Sequence, residues 1–209
     1  MSDRSPPVSR PHSEGRLFVI SAPSGTGKTT ITNRLRQTGA VSVSVSHTTR
    51  PPRPGEQHGV QYFFTGREEF LEMRAAGVFL EWAEVFGNYY GTKARWVREQ
   101  LAAGVNILLE IDVQGAGKVK AEMPAQSVLI FIRPPSLESL AARLQKRGQD
   151  SPEVVARRLA AAESEMNSAG GYDYVIINDN LERAVDEIRA IIKQPPKTQK
   201  EKTHVQNHH

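Results

Sequence analysis

The sequence has no cysteine and no long apolar run. With no cysteine among 209 residues, disulfides, cysteine-ligated zinc and thiol nucleophiles are excluded, so stability must come from packing. The longest apolar runs, such as Val128–Ile132, are a fraction of the roughly 20 residues that a membrane-spanning helix needs. The stretch from Met1 to Glu14 lacks the apolar segment of a secretory signal. We therefore expect a cytoplasmic protein with no membrane partner.

Positive charge is also not concentrated in one place. The formal net charge is +4, and half of this excess lies in residues 195–209, which hold three Lys and one Glu. Two clusters have no acidic neighbours: Arg50 with Arg53, and Arg143 with Lys146 and Arg147. Clusters of this size suit small phosphorylated ligands better than a nucleic-acid duplex. We expect no nucleic-acid partner, and the oligomeric state stays open.

What the sequence does contain is a repeated alternation of short apolar runs with helical patterns. This order is typical of βαβ units and predicts an α/β fold in three layers, with a parallel sheet covered on both faces. The predicted strands are Leu17–Ser21, Val105–Ile111, Val128–Ile132 and Tyr174–Ile177. The predicted helices are Lys28–Gln37, Gly115–Ala121, Leu137–Arg147 and Leu181–Ile192.

Composition divides the chain further. Residues 1–15 and 195–209 are predicted to be disordered, because they offer almost nothing to bury. Within the domain of residues 16–194, the core is assigned to 16–40, 93–133 and 172–194. Residues 41–92 read as a small strand-rich insertion. Residues of about 134–171 include a charged helical segment opened by Ser151, Pro152 and Glu153, and this segment could move as a lid.

A phosphate-binding loop follows the first predicted strand. Its residues are Ala22, Pro23, Ser24, Gly25, Thr26, Gly27, Lys28 and Thr29. Glycines at the third and first positions before Lys28 let successive N–H groups turn toward phosphate oxygens, and the following helix adds its positive end. Lys28 is expected to reach the β- and γ-phosphates of ATP, and Thr29 to bind Mg²⁺. Ala22 replaces the first glycine of the usual pattern.

An apolar strand that ends in carboxylates is the second part of this site. Glu110 closes the run Ile107–Glu110, and Asp112 follows it. A carboxylate at this place can hold Mg²⁺, usually through water, beside the hydroxyl of the phosphate loop. We therefore predict Thr29 and Glu110 as the metal-binding residues.

The acceptor is indicated by a resemblance to guanylate kinases of the bacterial type. It is carried by the runs Ser46–Glu56 with Gly59 and Tyr62, Phe79–Thr92, Glu110–Gly115, Pro134–Ser136 and Asn178–Asp179, and it extends over about residues 16–193. The resemblance implies transfer of a phosphoryl group from ATP to GMP, with dGMP as a further acceptor, in a region that binds GMP at residues 41–92.

The resemblance also implies residue roles. Glu81 would accept hydrogen bonds from N1–H and the amine of guanine, a pair of donors that adenine lacks. The other residues implied for GMP are Ser46, Arg50, Arg53, Glu56, Tyr62, Tyr90, Thr92 and Asp112. Glu56 either contacts ligand or pairs with a loop arginine. Asn178 is implied on the adenine side of ATP.

Catalysis should depend on positioning and on neutralising charge, because the attacking phosphate oxygen is already anionic. Lys28 and Arg50 are predicted to do this together with the lid arginines Arg143, Arg147 and Arg158. Two alternatives stay open: a guanylate-kinase-like module that binds phosphopeptides without catalysis, and a kinase with another small acceptor. The intact phosphate loop speaks against the first, and Glu81 speaks against the second.

Overall fold

The computed structural model describes residues 14–146 and 152–195. Its core is a parallel sheet of five strands: β1 (Leu17–Ser21), β2 (Ser42–Val43), β7 (Ile107–Glu110), β8 (Ser127–Arg133) and β9 (Tyr174–Ile177). Their order in the sheet is β2-β7-β1-β8-β9. Strand β1 lies at its centre, and all five of its side chains are buried. A strand of five consecutive buried residues needs cover on both faces of the sheet, which agrees with its continuous apolar sequence.

Helices cover both faces of this sheet and complete three layers. On one face, α1 (Lys28–Gln37) and α7 (Leu181–Lys193) pack over Phe18 and Ile130. On the other face, α3 (Ala94–Ala102) and α4 (Val113–Glu122) pack over Val19 and Leu109. Each of these helices buries an apolar stripe and exposes its charged residues, as expected for helices that flank a sheet.

A second sheet of four strands is formed by the chain between β2 and α3. The strands are β3 (His47–Thr48), β4 (Phe63–Phe64), β5 (Phe79–Val85) and β6 (Asn88–Lys93), and α2 (Arg67–Ala75) lies between β4 and β5 in the chain. The order of the strands in the sheet is β4-β3-β6-β5. Phe70 of α2 stacks on Phe79 and Tyr89 of this sheet, with ring centroids 4.5 and 5.5 Å apart. We call β3 to β6 with their connecting residues the acceptor sheet, after the role that the sequence predicts for this region.

Two helices form a separate layer above the phosphate loop. They are α5 (Leu137–Lys146) and α6 (Pro152–Asn167), which is followed by a short 3₁₀ helix at Ser168–Gly171. Leu140 and Leu144 of α5 pack against Val155 and Ala162 of α6. This small apolar cluster makes α5 and α6 one packed unit, which we call the lid.

The predicted fold class is confirmed: a parallel α/β core carries a strand-rich insertion and a helical lid. The structure differs from the sequence prediction in two features. Strand β2 pairs with β7 in the core sheet, although the composition of residues 41–92 predicts an insertion, and helix α3 has no counterpart among the predicted helices. In the part of the chain that the structure describes, no helix has the length and apolar character to cross a membrane.

Candidate active site

A cleft of about 290 Å³ lies where the phosphate loop, the acceptor sheet and the lid meet. Fifteen of the predicted site residues line it: Ala22, Pro23, Ser24, Gly25, Gly27, Lys28, Thr29, Ser46, Arg53, Tyr62, Glu81, Tyr90, Glu110, Asp112 and Arg158. A second hollow of about 560 Å³ runs along the edge strand β2, but its lining contains Arg36 as the one charged side chain. The first cleft is therefore the candidate active site.

Six predicted residues lie behind this lining: Thr26, Arg50, Glu56, Thr92, Arg143 and Asn178. Each of them is bonded to a residue or loop of the site, as described below. Arg147, predicted as a lid arginine, lies outside the described residues, as do residues 1–13 and 196–209 of the predicted disordered ends.

The phosphate loop has the backbone shape that anion binding requires. Gly25 and Gly27 have φ of 92° and 99°, a region that residues with a Cβ rarely enter. A Cβ on Gly27 would also lie 2.8 Å from Nδ2 of Asn178. Helix α1 begins at Lys28, directly after the loop, so its unpaired N–H groups and its positive end face the cleft.

Lys28 and Thr29 are held by the strand next to the loop. The Lys28 Nζ donates to the backbone carbonyl of Ile111 at 3.2 Å, which leaves two of its three N–H donors for a ligand. The Thr29 hydroxyl donates to Glu110 Oε1 at 2.6 Å. Because the hydroxyl uses its proton in this bond, its lone pairs stay available to a cation.

Two side chains hold the phosphate loop by hydrogen bonds to its backbone. Asn178, which is 6% exposed, donates from Nδ2 to the carbonyl of Thr26 at 2.7 Å. Arg143 donates to the same carbonyl at 3.3 Å and to the carbonyl of Asn178 at 2.9 Å. The resemblance implied an adenine contact for Asn178 and a lid role for Arg143. In the structure both support the loop backbone, and the implied roles stay predictions.

Glu81 is the most deeply buried carboxylate of the cleft, with 3% of the residue exposed. Its Oε1 accepts a hydrogen bond of 2.6 Å from the Thr92 hydroxyl on the neighbouring strand. Burial raises the pKa of Glu81 to about 7; the negative charge of Asp112 adds to this, while the bond from Thr92 opposes it. The carboxylate is therefore close to the balance between its two protonation states at neutral pH.

Helix α4 of the core also positions Glu81. Gly115 lies so near that an added Cβ would be 2.6 Å from Glu81 Oε2. Asp112 caps the same helix, since its Oδ1 accepts from the Gly115 N–H at 2.9 Å. Lys118, one turn further on, donates to the Trp82 carbonyl at 2.5 Å and lies 4.1 Å from the centre of the Trp82 ring. These contacts join the acceptor sheet to the core.

Arg50 and Arg53 lie in a Pro-rich loop, residues 50–56, and differ in orientation. Arg50 forms a two-pronged bond to Glu56, with Nη2 at 2.9 Å from each carboxylate oxygen. Glu56 also accepts from the Arg53 backbone N–H at 2.7 Å. Burial would raise the pKa of Glu56, but the bonds from the Arg53 backbone and from Arg50 outweigh it and lower the pKa. Of the alternatives for Glu56, the structure shows the pairing with a loop arginine, and the Arg53 side chain lines the cleft.

Tyr62 and Tyr90 form an aromatic wall beside these arginines. Their rings meet edge to face at 5.9 Å, and the Arg50 guanidinium lies 5.5 Å from the centre of the Tyr62 ring. Burial, followed by the negative charge of Glu110, raises the pKa of Tyr62 to about 12. The Tyr62 hydroxyl therefore keeps its proton and can donate to an anion at neutral pH.

Six residues that line the cleft were not predicted: Thr30, Ala83, Val85, Phe86, Ile111 and Glu165. Phe86 closes the turn between β5 and β6 with a φ of 49°, unusual for a bulky residue. The Arg157 guanidinium of the lid lies 5.8 Å from the centre of its ring. Glu165 follows Arg158 by seven residues on α6, so that the two lie on one face of the helix. The seven-residue spacing from Arg158 is the sequence pattern that indicates a place for Glu165 at the site.

The fold and the site define a class of protein: a phosphate-loop α/β core with a separate acceptor sheet and a lid is the architecture of a nucleoside monophosphate kinase. The comparisons specify the family. Residues 14–195 match the sequence model of the guanylate kinase family. Guanylate kinase from Dechloromonas aromatica is 55% identical over 180 residues, which cover 86% of this chain and 89% of that protein.

Two further comparisons agree. Guanylate kinase from Alkalilimnicola ehrlichii is 53% identical over 178 residues, covering 85% of this chain and 87% of that protein. The crystal structure of guanylate kinase from Anaplasma phagocytophilum is 37% identical and superposes with a TM-score of 0.75, covering 90% of this chain and 89% of that chain. The chain belongs to the guanylate kinase family, and it is an enzyme.

Proposed function

We propose that the cleft transfers the γ-phosphoryl group of ATP to GMP in one in-line step, giving ADP and GDP and so supplying guanine nucleotides. The observation that carries this proposal is that the phosphate loop and the buried carboxylate of Glu81 line the same cleft. One cleft would thus hold a donor site for a triphosphate and an acceptor site that carries a buried carboxylate. The cytoplasm, where both nucleotides occur, is the expected location.

The phosphate loop and Lys28 would hold the phosphates of ATP. Thr29 and Glu110 would hold Mg²⁺ beside them, which fits the lone pairs that the Thr29 hydroxyl keeps and the carboxylate next to it. Bound there, Mg²⁺ would neutralise charge on the transferred phosphoryl group. Asn178 and Arg143 support this donor half of the site through the carbonyl of Thr26.

Guanine would be selected by Glu81. Its ionised carboxylate can accept from both N1–H and the exocyclic amine, and burial makes the choice strict, since a base without two donors leaves a buried charge unpaired. Thr92 fixes one oxygen of this carboxylate. Ser46, which also lines the cleft, supplies a hydroxyl for O6 of guanine.

The GMP phosphate would be bound by Arg53 and by the Tyr62 and Tyr90 hydroxyls, with Arg50 behind them. Arg50 is held in position by Glu56, so its remaining donors have a fixed direction. These groups would reduce the repulsion between the acceptor phosphate and ATP. Arg158 would add positive charge from the lid, as Arg147 is also predicted to do, and lid closure would keep water from taking the phosphoryl group.

An assay of acceptor choice tests the proposal. ADP release is measured with Mg²⁺ and ATP, and with GMP, AMP, UMP or dTMP as acceptor. We expect turnover with GMP far above that with the other three, and loss of most of it in Lys28→Ala. Turnover without preference for GMP would point to another small acceptor. A protein that binds a phosphopeptide but releases no ADP with any acceptor would be a non-catalytic module.

A further inference from the structure

One carboxylate of the cleft has no place in the function proposed above. Four acidic side chains line the cleft, and three of them accept hydrogen bonds within it: Glu81 from Thr92, Glu110 from Thr29, and Asp112 from the N–H of Gly115. Within residues 14–146 and 152–195, the Glu165 carboxylate has neither a hydrogen bond nor an ion pair.

The location of Glu165 makes this unusual. It is half-buried, whereas Glu163 on the same helix is exposed. Lys28 and Asp112 line the same cleft; the charge of Lys28 attracts the Glu165 carboxylate, and the charge of Asp112 repels it. Burial is the main reason that its pKa lies above the ordinary value, and Asp112 adds to this while Lys28 opposes it. Lys28 is also the residue that would bind the β- and γ-phosphates, and it lines the same cleft as Glu165, so the two opposite charges would act on the same part of the ligand.

We propose that Glu165 lowers the affinity for the donor nucleotide, because its charge opposes the outer phosphates that Lys28 attracts. This inference rests on the proposed ATP site at the phosphate loop. Glu165 acts through the field at the phosphates and takes no part in bond making, so it is a positioning residue. Because it lies on the lid, its charge reaches the phosphates when α6 covers them.

The test measures nucleotide binding without acceptor, by isothermal titration calorimetry with Mg²⁺ and ATP, ADP or AMP. In Glu165→Gln we expect ATP to bind about fivefold more tightly, which corresponds to about 1 kcal/mol. The gain should be smaller for ADP and absent for AMP, because the effect follows the charge on the outer phosphates. It should also shrink at high salt. Glu165→Asp keeps the charge and should bind like the wild type.

Glu163→Gln is the matched control, since it removes an exposed carboxylate from the same helix and should leave all three affinities unchanged. Thermal melting of each variant checks that it is folded, and Glu165→Ala, which should show the same gain as Glu165→Gln, serves if the glutamine variant does not fold.

Equal or weaker ATP binding by Glu165→Gln would overturn the inference, weaker binding showing that the carboxylate contacts the ligand. An equal gain for ATP, ADP and AMP would overturn it too, because that is the result of a structural change. Failure of the proposed function looks different: the wild type would not bind ATP, or Lys28→Met would bind it as well as the wild type.

Discussion

Glu81 should reduce the stability of the fold at neutral and alkaline pH. Its pKa is 4.5 in an unfolded chain and about 7 in the fold. Between these values the folded chain binds more protons than the unfolded chain, so the free energy of unfolding falls as pH rises. The loss is complete above pH 7. It amounts to about 3 kcal/mol, because each tenfold change in proton affinity corresponds to about 1.4 kcal/mol.

Glu81→Gln removes this loss, since the amide stays neutral and can still accept the hydrogen bond from Thr92. At pH 8 the variant should therefore be more stable than the wild type by up to about 3 kcal/mol, or roughly 6 to 12 °C in Tm for a chain of this size. At pH 5 the gain should fall below about 1 kcal/mol, because the wild-type carboxylate is then protonated in the fold. The same variant should have a raised KM for GMP, because the amide places a donor against a guanine donor.

Thermal unfolding followed by circular dichroism at pH 5 and pH 8 measures both values. Glu84→Gln is the control, because Glu84 is exposed on the same strand and its substitution should leave Tm within about 2 °C at either pH. A gain in Glu81→Gln that is equal at the two pH values, or a wild type that is more stable at pH 8, would refute the reasoning from burial.

Three further predictions concern the ligands. The KM for GMP should rise about tenfold from pH 8 to pH 6, as the ionised fraction of Glu81 falls; protonation of the GMP phosphate also contributes, so the prediction fails if Glu81→Gln shows the same rise. Gly115→Ala, whose Cβ would lie 2.6 Å from Glu81 Oε2, should raise the KM for GMP at least tenfold and leave the Kd for ATP unchanged, whereas Gly117→Ala, which has open space, should change neither. Asn178→Ala should weaken ATP binding about fivefold in calorimetry, since it removes a hydrogen bond to the Thr26 carbonyl worth about 1 kcal/mol; an unchanged Kd would contradict the supporting role of Asn178.

The core elements could be predicted because their signals are local. Strands β1 and β9 and helix α1 have the predicted bounds. Each strand is a short apolar run that ends at a loop in the sequence, and α1 begins directly after the glycines of the phosphate loop. Strand β2 has two residues, and its place beside β7 depends on pairing across more than 60 residues of chain. The buried residues of α3 are Ala94, Val97 and Leu101. Their spacing of three and four residues is the helical period, so the sequence does contain a pattern that indicates this helix.

The candidate site also has a part that the sequence predicts and a part that it does not. The residues of the phosphate loop and of the resemblance to guanylate kinases occur at fixed spacings, and most of them meet in one cleft. Spacing carries no information on partners in space. The pairing of Arg50 with Glu56 depends on how the Pro-rich loop turns, and the burial of Glu81 depends on the approach of α4. The hydroxyl, amide and guanidinium groups behind the lining therefore had to be located by the structure.

The acceptor sheet is inserted in the chain between two elements of the core. It follows β2, which ends at Val43, and it ends at Lys93, where α3 begins directly. Apart from Asp112, the residues predicted to bind GMP thus belong to one continuous insert, which could be exchanged as a cassette while the donor site stays intact. Gly115 and Lys118 set the condition for such an exchange, because they belong to the core but contact β5. A chimaera with a new acceptor would have to change these two core positions together with the insert.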